Sequence, residues 1–270
     1  MSRLVTNQSR AAINNHVFSA RKLVLDLATA RPATVFTIAS MCRAAQIVGI
    51  SEASVRMAAM RLADEGVLER IGRGEYRLDA TGLNTFTHVG HWRTRLDGLV
   101  DWDGTWVGAD ASAATGTRTQ LRRIERELDL LGFTRWRGSL LMRPANLAGG
   151  VRTLRELTDT RVSVFGIVDL AAHDAAELRE SWDVAALHRS HRELCAELSA
   201  SLRRRSGQDD EQFARESLSL GARAIAQIIH DPLLPSSFDD HHELCALIEG
   251  TAHYQDVAGG VWEQLLWATP

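Results

Sequence analysis

The segment of residues 48–78 constrains the fold of this chain more than any other part of it. Its sequence, VGISEASVRMAAMRLADEGVLERIGRGEYRL, begins with a glycine turn, continues as a helix and ends as two alternating strands. Ser51 is a favourable N-cap, and Glu52 places negative charge in the first helical turn, where the helix dipole stabilises it. Gly66 ends the helix, and Gly72-Arg73-Gly74 separates the two strands. This order of elements predicts a winged helix-turn-helix.

The predicted helix has one apolar face and one basic face. The apolar face carries Val55, Ala58, Ala59 and Leu62 at helical spacing, and the opposite face carries Ala53, Arg56, Met57, Met60 and Arg61. An exposed helix with two arginines can enter the major groove of DNA, and a basic hairpin turn can reach the backbone or an adjacent groove. We therefore predict DNA contacts from Ser51, Ala53, Arg56, Met57, Met60, Arg61 and Arg73. The alternative is a small helical domain with solvated arginines, which are common on surface helices.

Basic residues are concentrated in the N-terminal part of the chain. The first 97 residues contain 13 lysines and arginines against 8 acidic residues, whereas the remaining residues contain 18 against 26. Because phosphate binding requires positive charge, a basic first module followed by an acidic remainder is typical of a regulator in which one part contacts DNA.

The composition is that of a soluble globular protein. Hydrophobic residues make up 45% of the 270 residues and charged residues 24%. No stretch reaches the ~18 uninterrupted apolar residues of a membrane helix, and the polar first residues lack the apolar core of a signal peptide. We therefore expect a cytoplasmic protein without a membrane partner. Cys42, Cys195 and Cys245 are widely spaced and are expected to be free, buried thiols.

The remaining patterns predict an α+β protein of three domains. These are a winged helix-turn-helix head at residues 1–98, a ferredoxin-like middle domain at 99–172 and an all-helical C-terminal domain at 173–270. The middle domain is assigned from the order strand, helix, strand, strand, helix, strand. Outside the middle domain and residues 48–78, helices are predicted over residues 16–30, 37–47, 81–99, 182–205, 208–230, 238–250 and 252–266.

Four segments resemble the PaaX-type repressors of phenylacetate catabolism. They are GISEASVRMAAMRLADEGVLE in the head, WDGTWV at the start of the middle domain, LRRIERELDLLGFTRWRGSLLMRP after it, and HDPLLP before the last helices. Their order extends the resemblance along nearly the whole chain. It implies a non-enzymatic, homodimeric repressor of an aromatic-acid catabolic operon, which binds double-stranded operator DNA and is released by phenylacetyl-coenzyme A. The chain departs from the family at His191, where a tyrosine is usual, and in SSFDDHHEL after HDPLLP.

An acyl-coenzyme A effector needs cationic partners for its phosphates and an apolar slot for its acyl group. Arginines crowd the first helix of the middle domain, and we assign Arg118, Arg122 and Arg126 to effector binding. The alternative is a solvated helix face. A small-molecule-binding protein whose head no longer binds DNA is a further hypothesis.

The histidines predict no metal site. His188 and His191 lie one helical turn apart, and His241, His242 and Cys245 are close in sequence, but neither set has a clear fourth ligand. Histidines on acidic helices are usually solvated or paired, so we expect no metal and no cofactor besides the effector.

A metal-dependent nuclease is the alternative function, because the ferredoxin-like domain resembles small nuclease folds. Asp110 in the first strand of that domain, near Asp101 and Asp103, could hold Mg²⁺. Asp103-Gly104 is also a common turn sequence, and a fold does not carry an activity with it. The sequence contains no nucleophile motif or phosphate-binding glycine loop.

Overall fold

The described residues, 19–30, 34–79 and 92–267 of a computed structural model, form a mixed α+β structure. They contain two small antiparallel sheets and a helical C-terminal region. They divide into two compact units. The first contains the described residues within 1–91, 195–225 and 249–270, and the second contains 92–194 and 226–248. The three domains assigned from the sequence stay a prediction.

In the N-terminal part of the first unit, the described residues form three helices and a three-stranded sheet. Its elements are α1 (Ala20–Ala30), β1 (Phe36–Thr37), α2 (Ile38–Ile47), α3 (Glu52–Asp64), β2 (Leu68–Gly72) and β3 (Glu75–Leu78). The sheet is antiparallel with the order β1-β3-β2, and α3 packs against both α1 and α2. The predicted helices and hairpin are confirmed within one to four residues at each end, although residues 16–18 lie outside the described residues.

Helix caps explain where α2 and α3 begin. The hydroxyl of Thr37 accepts the N–H of Ser40, and the hydroxyl of Ser51 accepts the N–H of Ser54. Each bond satisfies a backbone donor that the first turn of a helix leaves unpaired.

Strand β1 was not predicted, because two residues are too short for a periodic signal.

The second unit contains a four-stranded antiparallel sheet. Its elements are β4 (Trp106–Asp110), α4 (Arg118–Leu130), β5 (Thr134–Arg135), β6 (Leu140–Pro144), α5 (Gly150–Leu157) and β7 (Ser163–Ile167), and the strand order is β5-β6-β4-β7. One face packs on α4 and α5 through Val107, Ile124, Leu128 and Leu154. The other face carries an aromatic cluster, in which the Trp106 ring lies 5.3 Å from that of Trp102.

Two sequence predictions in this region are wrong. Residues 92–99 are not α-helical: Trp92–Thr94 is a single 3-10 turn, and the chain then bonds to the loop after β6, with Val100 N–H donating to the carbonyl of Asn146 at 3.0 Å. Residues 81–91 of that predicted helix lie outside the described residues. The strand predicted to follow a turn within residues 102–107 and to run on to about Ala113 instead ends at Asp110, because the Asp110 carboxylate accepts the N–H of Ser112 and turns the chain.

Four α-helices follow β7 in the described residues: α6 (Ala172–Glu180), α7 (Val184–Arg204), α8 (Asp210–Ile229) and α9 (His242–Trp267). Two helices separated near Gly250-Thr251 were predicted where α9 is continuous. That prediction is wrong because a glycine in a helix costs only about 1 kcal/mol, which the packing of fully buried Thr251 and Tyr254 outweighs. Among the described helices, none combines the length and apolarity required to cross a bilayer.

The connector of residues 231–235 is buried rather than exposed. The side-chain amide of Asn146 donates to the carbonyl of Leu233 at 2.9 Å, and the buried guanidinium of Arg143 donates to the carbonyls of Leu131 and Leu233. Burial lowers the pKa of Arg143 to about 9. A buried amide and a buried guanidinium thus satisfy the carbonyl of Leu233, which this irregular buried segment does not pair within itself.

A ring contact and a hydrogen bond connect the two ends of the first unit. The ring of Phe36 in β1 lies 5.7 Å from that of Trp267 at the end of α9. Arg215 of α8 donates to the carbonyl of Ile47 at the end of α2, at 3.2 Å. Both contacts connect the N-terminal elements to the C-terminal helices within this unit.

Candidate nucleic-acid interface

Helix α3 is held by its apolar face and leaves the opposite face open. Val55, Ala59 and Leu62 are fully buried, as predicted. The face predicted to contact DNA is exposed at every position: Ala53, Arg56, Met57, Met60 and Arg61. Met57 and Met60 are 47% and 44% exposed, which is unusual for large apolar side chains and typical of a contact surface.

The charges on this face are only partly neutralised. Arg56 lies 3.6 Å from Glu52, a loose contact between exposed side chains. Among the described residues, Arg61 has no ion-pair partner within 4 Å. Arg21 of α1 binds Glu65 through two hydrogen bonds of 2.9 and 2.7 Å, which lowers the pKa of that carboxyl. Arg21, at the start of α1, is therefore neutralised, whereas Arg56 has only a loose contact and Arg61 has no ion pair among the described residues.

A groove of about 610 Å³ runs between α1 and α3. It is lined by Ala20, Arg21, Ala53, Ser54, Met57, Ala58, Arg61 and Glu65. Its walls thus combine small and apolar side chains with the ion pair of Arg21 and Glu65 and the cation of Arg61.

The hairpin places one unpaired arginine at its tip. Arg70 lies 3.2 Å from Asp64, and Arg77 lies 2.8 Å from Glu69. Arg73 is exposed between two glycines and has no ion-pair partner among the described residues. Gly74 has a φ of +77°, and its carbonyl accepts the N–H of Ile38 at 2.7 Å. The turn is therefore fixed to the start of α2, and its tip carries a free cation.

Sequence reasoning missed one further cation. Arg43 is exposed on α2 and has no ion-pair partner in the described part of the chain. Its neighbour Cys42 is buried, and burial raises the pKa of this thiol. The signal was a single charged residue in an otherwise uncharged helix, which the sequence alone could not distinguish from a solvated side chain.

The predicted effector arginines lie on one exposed side of α4. Arg118, Arg122 and Arg126 are all exposed, and Arg126 Nε donates to the carbonyl of Arg122 at 3.2 Å. Arg123 is instead paired with Glu127 at 2.7 Å. The arrangement provides a positive helix face without assigning it a ligand.

The carboxylates considered for a nuclease have local partners. Asp110 accepts hydrogen bonds from the N–H and hydroxyl of Ser112, which lower its pKa, and Asp103 accepts from Thr105. Among residues 19–30, 34–79 and 92–267, neither carboxylate belongs to a group of possible metal ligands. The group of this kind that the structure contains consists of His188, Asp239 and Asp240. The set His241, His242 and Cys245 does not converge as such a group either.

No protein-family model matches the chain, and no curated protein matches it. Its fold is similar to a solved structure, the uncharacterized protein Rv0674 from Mycobacterium tuberculosis. The two share 20% sequence identity with a TM-score of 0.62, and the match covers 92% of this chain and 98% of the other. At this identity the likeness concerns the fold alone.

Proposed function

We propose that the protein is a DNA-binding transcriptional regulator of the repressor type. The observation that carries the proposal is the distribution of free charge on the N-terminal elements. Arg21, Arg70 and Arg77 are ion-paired. Arg61 on α3 and Arg73 at the hairpin tip have no ion-pair partner within residues 19–30, 34–79 and 92–267. A surface that leaves its protruding cations unpaired is suited to phosphates and base edges.

The element order of the described residues between 19 and 79 supports a winged helix-turn-helix. In that arrangement α2 and α3 form the helix pair, α3 is the recognition helix, and β2 and β3 form the wing beside β1. The sheet of the second unit, with its order β5-β6-β4-β7, is consistent with a ferredoxin-like domain. Both assignments agree with the resemblance to PaaX-type repressors.

Binding would proceed from the exposed side chains of α3. Arg56 and Arg61 can donate two hydrogen bonds to guanine, and Met57 and Met60 can contact thymine methyl groups. Arg73 can reach phosphates or the adjacent minor groove. Ser51 at the start of α3 places backbone N–H groups where a phosphate can accept them.

The regulator would act as a cytoplasmic homodimer that responds to a small acyl-coenzyme A ester. Two heads on a two-fold operator double the DNA contacts of a single head. Release requires the effector to prefer the conformation that does not bind DNA. The exposed arginines of α4 offer cations for its phosphates, and phenylacetyl-coenzyme A is the first candidate by the resemblance, with an aromatic-acid catabolic operon as the target.

A gel-shift with the DNA upstream of the protein's own operon tests the proposal. We expect a retarded complex that unrelated competitor DNA does not remove, and a two-fold footprint. Phenylacetyl-coenzyme A should weaken the complex by roughly 5- to 150-fold, the range of allosteric couplings of 1–3 kcal/mol. Sequence-independent binding would contradict a regulator, and Mg²⁺-dependent cleavage of the same DNA would favour the nuclease.

A further inference from the structure

A compact group of potential metal ligands lies in the second unit, between α7 and the segment before α9. His188 Nε2 lies 2.9 Å from Asp239 Oδ1. One ligand atom from each of His188, Asp239 and Asp240 lies within 4.8 Å of the others. Within the described ranges, this is the one group of three His, Cys, Asp or Glu residues with that spacing. It is distinct from the elements proposed to bind DNA.

The chain fixes both carboxyl groups in place before a ligand arrives. Asp239 Oδ1 accepts the N–H of His241 at 2.9 Å, and Asp240 Oδ1 accepts the N–H of His242 at 3.0 Å. Asp239 is only 4% exposed, whereas Asp240 is exposed and His188 half-buried. The group is therefore anchored on its inner side and accessible from solvent on its outer side.

One buried imidazole beside the group has a ring nitrogen without a partner. His191, one turn after His188 on α7, is fully buried, but its Nε2 lies 3.5 Å from Asp231 Oδ2 and so has a contact outside the group. His241, which follows Asp240 directly, is 9% exposed, and its Nδ1 atom has no hydrogen-bond partner among the described residues. Because buried polar atoms normally find partners, this orphan nitrogen next to the two carboxylates indicates that a ligand is part of the complete site.

We propose that His188, Asp239 and Asp240 bind a first-row divalent transition cation such as Zn²⁺ or Mn²⁺. Imidazole nitrogen combined with carboxylate oxygen suits these ions, whereas Ca²⁺ takes oxygen ligands. The cation offsets the repulsion between two adjacent carboxylates. It also joins two segments 51 residues apart in sequence, so it stabilises the folded second unit against the unfolded chain.

Calorimetric titration of the metal-free, full-length protein tests the site. We expect saturable binding of one Zn²⁺ or Mn²⁺ per chain, a higher unfolding temperature with the cation, and no response to Ca²⁺. Asp240→Asn removes one anionic ligand but keeps the oxygen that accepts the His242 N–H, so the variant should fold. Its affinity should fall at least about tenfold. Asp97→Asn, another exposed aspartate in the same unit, should bind as the wild type does.

Two histidine variants distinguish binding at this site from adventitious binding to surface histidines. His188→Gln should lose affinity by at least about tenfold, whereas His253→Gln, an exposed histidine on α9, should not. The proposal is overturned if neither cation binds saturably to the wild type. It is also overturned if the Asp240→Asn and His188→Gln proteins fold and bind as tightly as the two control variants.

Discussion

The imidazole of His191 lies 3.5 Å from the carboxylate of Asp231, measured from Nε2 to Oδ2, and both side chains are completely excluded from solvent. Burial lowers the pKa of His191 to about 4 and raises the pKa of Asp231 to about 7. Charged groups also act on the pair from its surroundings: His188, Asp239 and Glu243 on His191, and Arg95 on Asp231.

We expect the two residues to have opposite effects on stability as pH changes. The lowered pKa of His191 costs stability as pH falls from 6.5 toward 4, and the raised pKa of Asp231 costs stability as pH rises from 3.8 toward 7. Between about pH 4 and 6.5 the pair binds one proton in both states, on Asp231 in the folded protein and on His191 in the unfolded chain. Its net contribution to the pH dependence of the wild-type free energy of unfolding is therefore close to zero.

Single substitutions should reveal how each residue alone makes the free energy of unfolding depend on pH. The Asp231→Asn protein should become less stable as pH falls from about 6.5 to 4, by up to about 1.4 kcal/mol per pH unit, and the His191→Gln protein should become less stable as pH rises over this range. Urea unfolding at several pH values, with a chelator present, measures both slopes. If the free energy of unfolding changed with pH in the same direction in both variants, the opposite effects assigned to His191 and Asp231 would be wrong.

Removing the arginines of α3 should weaken operator binding strongly. Replacing Arg56 and Arg61 by alanine should cost about 1–3 kcal/mol for each arginine that reads a base, and relax the preference at that base. Fluorescence anisotropy with the operator and its single-base variants measures this. The Arg118→Ala/Arg122→Ala protein is a matched control, since it loses two exposed arginines from α4; equal losses in both proteins would place the interface elsewhere.

The arginine at the hairpin tip should contribute affinity without sequence preference. Arg73→Ala should weaken binding to all sequences about equally and reduce the slope of log affinity against log salt by about one unit. Arg152→Ala, on the exposed side of α5, should leave that slope unchanged. A change in the preferred base, rather than in the salt slope, would make the hairpin a reader of sequence.

Glycine at position 132 should be required for stability. Its φ is +79°, and a Cβ there would overlap the carbonyl oxygen of Pro232 in the buried connector. We expect Gly132→Ala to cost about 1–3 kcal/mol from backbone strain alone. Gly250→Ala lies inside α9 with open space around the added methyl and should instead add about 0.5–1 kcal/mol. Urea unfolding of both proteins gives the comparison, and a neutral effect at residue 132 would show that the connector can move away.

The N-terminal elements could be predicted from short-range sequence features, whereas contacts between residues far apart in the sequence could not. The cap at Ser51 and the apolar face of α3 are short-range features, and both are confirmed. The roughly helical spacing of large apolar residues from Leu83 to Leu96 suggested a helix over residues 81–99. At residues 92–99, however, backbone pairing with the loop after β6 determines the structure. The approach of Asp239 to His188 depends on how the helices pack, so no spacing rule could bring these residues together.

The ring contact between Phe36 and Trp267 provides a built-in spectroscopic probe. The chain contains seven tryptophans, so incorporation of fluorotryptophan should give seven ¹⁹F resonances, and the Trp267→Phe protein identifies the one beside β1. That resonance senses the edge of the N-terminal sheet without an added label. Its chemical shift can follow any rearrangement of these elements in solution, whether DNA, an effector or a cation causes it.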